Sequence, residues 1–557
     1  MCGIAGVLGG KGSARPLIES LAHRGPDGLR VEDGPGWSVA HARLSIIDLE
    51  GGWQPLHAGG STVIGNGEIY NYVELTADFG LKGELKTGSD FEPLLALYNR
   101  EGRSAFSRLR GMYAFCLIGG DGRTWLARDP FGIKPLYLQG GTFASEPRAL
   151  KRGALQVERA EELLTLNYTL GETTIYDGVS RLAPGQLMGP ERARLPWGPA
   201  ARPQPIDEKT ALARLDAVLE DSVRVHQRAD VPYGLFLSGG IDSAAIATVM
   251  SRLNSRPVTA FTCGFDAPGA RDERAAAEAV AKALNLDWRE TTFDEEDFWR
   301  IAPQVAWALD DPTTDYATLP TYKLAEAAKG TLTVVLTGEG GDELFGGYGR
   351  YRRALRPAWL GGRPAAPRAD ALFLKDRGAG AVDRWKKAAA APAGLTRLQQ
   401  AQWGDIATWL PNDLLLKLDR CLMAHGLEGR TPFLDREVAA FAFTLPNAMK
   451  VRGRYGKWLL RKWLEGACPA AQPWAKKQGF TVPVAGWIAP RAADLGPRIA
   501  AVEAVRAVCD PDAVRAVFTR EGAEKHRWPL LFFALWSLIH LEGAEPQDAR
   551  AALLGEP

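Results

Sequence analysis

The chain has 557 residues, a 46% hydrophobic fraction and a net charge of +1. That length gives room for several domains, and near-neutrality removes any general electrostatic argument for a nucleic-acid or membrane-surface partner. Six cysteines (Cys2, Cys116, Cys263, Cys421, Cys468, Cys509) are scattered without a CxxC pair, which argues against a disulfide framework or zinc site and suits a reducing, cytoplasmic compartment.

The chain opens MCGIAGVLGG. Methionine removal is favoured before a small residue, so Cys2 is expected at the N-terminus, carrying a thiol nucleophile and an α-amine that titrates near pH ~8 and serves as its base. The N-terminal stretch lacks a basic n-region and a long apolar run, so it is not expected to be a signal peptide. Short alternating runs broken by glycine follow, among them GWSVAHARLSIIDL, STVIGNGEIYN, GMYAFCLIGG and TWLARDP. They predict stacked antiparallel sheets up to about residue 190, with a helix over Asp90 to Glu101. GPERARLPWGPAARPQP reads as a linker, assigned to residues 191–206. From Asp207 strands and helices alternate, which is the pattern of a parallel α/β sheet. VPYGLFL, PVTAFTCGF, DWRETTF and TLTVVL are its expected strands, with an Ala-rich helix near Arg271 to Leu284. The remainder, to about residue 545, reads as mainly helical. The basic segment Tyr348 to Arg368 reads as a solvated loop or helix edge, and the apolar run Leu530 to Leu541 is too short to span a bilayer and reads as a buried helix.

Two sets of motifs carry chemistry. Behind Cys2 stand HRGPDG (His23 to Gly28), ARLSIID (Ala42 to Asp48), NGEIYN (Asn66 to Asn71) and TGSD (Thr87 to Asp90). Hydrolysis of an amide needs a nucleophile, donors for the tetrahedral oxyanion and a clamp for the head group. The second set begins with SGGIDS after a buried strand. Its glycines let backbone N–H groups approach a phosphate, and the helix that follows adds its positive end. TGEGGDE ends a later strand. In a doubly wound sheet the two turns face one crevice where strand order reverses, so one supplies a phosphate cradle and the other carboxylates. Asp242 and Asp342 are the expected Mg2+ ligands, because hard oxygen donors suit that ion beside phosphates.

The first set, in this order and with RDPFGIKPLY and ASE, resembles type II glutamine amidotransferases, whose fold is the N-terminal nucleophile hydrolase sandwich. SGGIDS resembles the PP-loop of ATP pyrophosphatases. With LDRCLMAHGLEGRTPFLD, GKWLLRK and KKQGF, the whole chain resembles the glutamine-hydrolysing asparagine synthetases of the B type. The resemblance implies an amidotransferase domain over 2–190 and a doubly wound ATP-binding domain over 207–545. In the first, Asn66 and Gly67 form the oxyanion hole, Arg43 holds the substrate carboxylate, Glu68 and Asp90 lie near its ammonium, and Ile46 and Ile47 line the pocket. In the second, Leu237, Ser238, Gly239, Gly240, Asp242, Ser243, Cys263, Thr337 and Gly338 border ATP. Lys477 stabilises the phosphorus during adenylation, and Glu339 is the base for ammonia attack. Glutamine, aspartate and ATP are the implied substrates, an internal tunnel carries ammonia, and a homodimer is the expected assembly. Two positions depart from the pattern. Ala244 replaces a second serine, which a backbone cradle tolerates. Tyr316 stands where some relatives carry an arginine near the pyrophosphate, so the competing reading is an amidotransferase acting on another carboxylate, such as a cell-envelope or secondary-metabolite precursor. A degenerate scaffolding protein is the remaining alternative, and the intact motifs argue against it.

Overall fold

The computed structural model describes the chain except for Met1, Lys11, Arg152, residues 196–201, 267–272, 361, 363–365, 368–369, 477–481 and Pro557. Lys477, most of KKQGF, the middle of the expected linker and the start of the expected Ala-rich helix therefore lie outside the described residues.

The first half is two stacked antiparallel sheets. One holds β1 (Gly3–Leu8), β2 (Gly28–Gly34), β3 (Trp37–Arg43), β8 (Tyr137–Gln139), β9 (Thr142–Ala144) and β10 (Ser180–Arg181), in the order β10-β8-β9-β1-β3-β2. The other holds β4 (Leu56–Ala58), β5 (Ser61–Ile69), β6 (Gly111–Ile118), β7 (Thr124–Arg128), β11 (Gln186–Met188) and β12 (Arg192–Arg194), in the order β12-β11-β7-β6-β5-β4. Ile4, Val39, Ile64, Ala114 and Leu126 fill the space between them, as inward-facing residues of two stacked sheets do. The edge strand β12 lies within the stretch read as linker. The expected helix is present at Glu92–Glu101.

The second half is built on five parallel strands: β13 (Tyr233–Phe236), β14 (Thr259–Phe265), β15 (Asp287–Phe293), β16 (Val334–Leu336) and β17 (Glu428–Arg430), in the order β15-β14-β13-β16-β17. Helix α1 (Glu208–His226) starts where the Asp207 carboxylate accepts the Thr210 N–H at 2.9 Å, and it buries Ala211, Leu215, Leu219 and Val223 at four-residue spacing. Strand order reverses between β13 and β16, so the turns after those two strands open into one crevice. Helix α2 (Ile241–Leu253) follows the first turn, and the short α3 (Gly341–Phe345) follows the second. The long apolar run is a buried helix, Arg527–His540. No described helix is long and apolar enough to cross a membrane.

A band of buried charge joins the halves. Fully buried Arg24 reaches Glu146 at 2.7 Å within its own half, and Asp419 at 2.9 and 3.1 Å in the other. Asp419 lies on α4 (Leu415–Met423). Its neighbour Arg420 pairs with Glu146 at 3.3 Å and with Asp310 at 3.2 Å. Arg181 grips Asp311 with two nitrogens at 2.5 and 2.6 Å, and the Tyr137 hydroxyl donates to the same carboxylate at 2.7 Å. Burial alone pushes Glu146 up, but Arg420, His23 and Arg148 around it hold it well below the usual carboxylate range. Removing one member leaves a buried charge without its partner, so Arg420→Met should destabilise the protein by about 3–5 kcal/mol. Calorimetric or urea unfolding measures this, and a loss under about 1 kcal/mol, the scale of a surface pair, would mean the band adds nothing to stability.

Candidate functional site

Cys2 immediately precedes β1, which lies between β9 and β3 in the first sheet. Its N–H donates to Asn66 Oδ1 at 3.3 Å, its thiol lies 3.8 Å from the Leu44 carbonyl, and its own carbonyl accepts from Arg24 Nε at 3.2 Å. Asn66, Gly67 and Glu68 are consecutive on β5. Gly67 adopts φ +127°, and a Cβ there would stand 2.0 Å from the Met112 carbonyl oxygen. Only glycine allows that backbone so close to β6.

Three buried polar atoms around Cys2 have no hydrogen-bond partner among the described residues: Asn66 Nδ2, Arg43 Nη1 and Glu68 Oε2. Buried polar atoms are rarely left so. They comprise a neutral donor, a cationic donor and a carboxyl oxygen, the complement of an amide oxygen, a carboxylate and an ammonium. Arg43 ends β3. Its other terminal nitrogen donates to the Asp48 carbonyl at 2.5 Å, and its guanidinium lies 4.8 Å from the centre of the Trp53 ring. The loop after it is held from the second half, since the Ile46 carbonyl accepts the Asp230 N–H at 2.8 Å and Asp230 Oδ2 accepts the Asp48 N–H at 2.8 Å. Ile46 is buried in the core beneath, with Ile47 packed against it. Asp90 accepts the Ile69 N–H at 2.7 Å, and burial pushes its carboxyl up to about 7. Burial and the nearby Asp90 push Glu68 well above the usual range, opposed by Arg430 at 3.3 Å. A pair of buried carboxyls this short of positive charge suits an incoming ammonium.

The second region lies at the switch point. After β13, Ser238 and Ser243 lock the turn: their hydroxyls lie 3.0 Å apart, and Ser243 Oγ accepts the Ser238 N–H at 3.1 Å. Leu237 is tied to β14 through the Phe261 carbonyl at 2.9 Å, and Cys263 is buried farther along that strand. Gly240 caps α2. The Gly239 N–H donates to the Glu273 carboxylate at 3.2 Å, so a side-chain anion rests against the cradle. After β16, Thr337 donates its N–H to the Arg430 carbonyl at 2.9 Å. Gly338 and Gly341 bring the two loops together, since a Cβ on either would stand within 2.8 Å of Asp242.

Asp242 and Asp342 converge on one cation, the Nζ of Lys457, which lies 2.6 Å from Asp342 and also pairs closely with Asp242. Two hard oxygen donors aimed at one positive centre fit a divalent ion beside a phosphate. Glu339 is part-exposed and 3.4 Å from Lys417, which also lies 3.6 Å from Asp315. Burial disfavours the Lys417 charge, but Glu339, Asp315 and Asp413 more than offset this and hold it firmly protonated. The expected residues thus form two groups, Cys2, Arg43, Asn66, Gly67, Glu68 and Asp90 in one, and the β13 and β16 loops in the other. Lys457, Lys417, Arg430 and Arg24 were not singled out from the sequence. Lys457, Arg430 and Arg24 lie in quoted motifs and Lys417 immediately precedes one, but only a fold places their charges.

A thiol-bearing amide pocket and a switch-point crevice on one chain define a glutamine-dependent amide-forming ligase. The chain belongs to the asparagine synthase family: the description "Asparagine synthase" matches residues 214–538, and "Glutamine amidotransferase domain" matches residues 1–196. It is 32% identical to asparagine synthetase [glutamine-hydrolyzing] 1 of Bacillus subtilis, covering 97% of each chain. It is 34% identical to a putative asparagine synthetase [glutamine-hydrolyzing] of Mycobacterium tuberculosis over 97% of this chain and 98% of that one. With asparagine synthetase B [glutamine-hydrolyzing] of Escherichia coli it shares 29% identity over 86% and 82%. ATP is a substrate in this family.

Cys2 is half-buried and the other five cysteines are buried. Burial, with Glu68 and Glu428 nearby, raises its thiol above the ordinary value. Iodoacetamide should therefore label the native protein once, at Cys2, with a rate that keeps climbing as pH rises past 9. Peptide mass spectrometry reads both features, and labelling elsewhere, or a rate already at its plateau at pH 7, would contradict this environment.

Proposed function

We propose that the protein makes L-asparagine from L-aspartate, ATP and the amide nitrogen of glutamine, acting in the cytoplasm on free small molecules. With Met1 removed, the α-amine of Cys2 takes the thiol proton and the sulfur attacks the glutamine amide carbon. Asn66 Nδ2 and the Gly67 N–H steady the oxyanion, Arg43 holds the α-carboxylate, and Glu68 and Asp90 receive the α-ammonium. The Cys2 α-ammonium returns that proton to the departing nitrogen, ammonia leaves, and water hydrolyses the thioester to glutamate. In the crevice the aspartate side-chain carboxylate attacks the α-phosphorus of ATP and pyrophosphate departs. Asp242 and Asp342 would hold Mg2+, which when bound neutralises charge on the phosphates. Lys477, outside the described residues, is the further cation proposed for the phosphorus. Ammonia then attacks the aspartyl-adenylate, Glu339 takes the proton, and AMP leaves.

The observation that carries this reading is the join between the two sites. Arg430 of β17 lies 3.3 Å from Glu68, beside the oxyanion residues, and its carbonyl receives Thr337 in the loop that bears Glu339. Tyr70 Oη and Thr431 Oγ1, near this join in sequence, are buried without hydrogen-bond partners among the described residues, which supports a polar passage for ammonia. A second acceptor carboxylate is favoured by one feature: Tyr316, 42% exposed beside Asp315, brings no positive charge to the crevice.

The deciding experiment is an acceptor screen that follows AMP and pyrophosphate. Aspartate should support release and be amidated with glutamine or with added ammonia, and Cys2→Ala should lose the first nitrogen source alone. Turnover of another carboxylate with aspartate inert would overturn the acceptor assignment. Glu339→Gln should still form aspartyl-AMP while asparagine output falls by about two to four orders of magnitude, as for loss of a general base. Rapid quench separates the two steps, and normal output from this variant would remove Glu339 from proton transfer.

A further inference from the structure

Lys457 stands where the reading above needs a metal ion. It is the N-cap of α5 (Trp458–Ala467), at φ +54°, a left-handed conformation that is unfavourable for a residue with a Cβ. Its side chain is 3% exposed, and its stem crosses Gly347, where a Cβ would stand 2.2 Å from Lys457 Cε and 1.7 Å from Asp342 Oδ1. Backbone and packing together aim this ammonium between the two carboxylates. The phosphate cradle shows the matching arrangement, with the Glu273 carboxylate against the Gly239 N–H at 3.2 Å. The crevice thus holds an internal cation beside its acidic pair and an internal anion beside the Gly239 N–H.

We propose that Lys457 is the resident counter-ion of Asp242 and Asp342, and that it makes divalent-cation binding conditional on nucleotide. This rests on the proposed metal role of those two aspartates. A free divalent ion must displace an ammonium already seated on both carboxylates, so its apparent affinity is reduced by the small fraction of molecules in which Lys457 has swung away. An ion arriving on a nucleotide brings phosphate oxygens that give the displaced ammonium a new partner, and phosphate competes with Glu273 for the Gly239 N–H. Exchange for an ion that arrives with phosphate leaves the buried ammonium of Lys457 paired, whereas exchange for a free ion does not. Lys457 is a positioning residue in this scheme: it keeps the two carboxylates in place and unloaded until nucleotide and ion come together.

Equilibrium dialysis of the full chain with radioactive Mn2+ tests this without turnover, with and without α,β-methylene ATP at equal concentration on both sides. The wild type should retain Mn2+ only with the nucleotide analogue. Lys457→Met should retain it without nucleotide, at least about tenfold more tightly than wild type, and Lys457→Arg, which keeps the charge, should behave as wild type. Equal retention by the wild type with and without analogue overturns the inference and leaves the metal role intact. Unchanged retention by a folded Lys457→Met overturns it as well. No retention under either condition rejects the metal assignment itself, and the inference with it. The wild-type arms stand even if Lys457→Met fails to fold.

Discussion

Moving a guanidinium out of water costs several kcal/mol, and the cost is offset only when carboxylates meet it with good geometry. Arg24, Arg420 and Arg430 are all fully buried, and each finds a carboxylate on both sides of the boundary between the halves: Arg24 and Arg420 between Glu146 and Asp419, Arg430 between Glu68 and Glu428. These contacts fix how the amide pocket and the crevice face one another. Apolar packing does not discriminate between neighbouring registers so sharply, whereas a buried charge misplaced by a few ångström loses most of its compensation.

The same charges reach the residues of the two candidate sites. Arg24 donates to the Cys2 carbonyl, and Arg430 sits beside Glu68 and accepts Thr337. Asp419, which receives Arg24, lies two residues from Lys417, the partner of Glu339. Positioning in one half is therefore built on elements of the other, which suits the proposed passage of ammonia between the two sites.

Much of this was legible in the sequence because it depends on local chemistry. DWRETTF and the strand before SGGIDS follow from β-branched and apolar runs, and the turns after β13 and β16 from their glycines. β17 was not legible. Glu428, Gly429 and Arg430 have no strand signal, and they pair with β16 because the sheet edge and Glu68 together satisfy them. β12 was hidden in the same way, its Arg-Ala-Arg read as linker composition until Leu187 and Gln186 gave it a partner. In the candidate sites, residues whose own type suggests a chemistry (Cys2, Asn66, Arg43, Asp242) could be named from the sequence. Lys457 and Lys417 were missed because a lysine takes its meaning from the carboxylates around it, and those lie more than a hundred residues away for Lys457.

The band of buried charge also bears on how such a chain can be recombined. If the first half were cut from the second, Glu68 and Glu146 would lose Arg430 and Arg420, and Arg24 would lose Asp419. The halves look like modules in sequence, joined by a stretch rich in proline and glycine, but their electrostatics belong to the pair. A graft of this amidotransferase onto another synthetase must carry over the acceptors of its arginines as well as its linker. The unit that can be inherited or exchanged intact is thus wider than either domain.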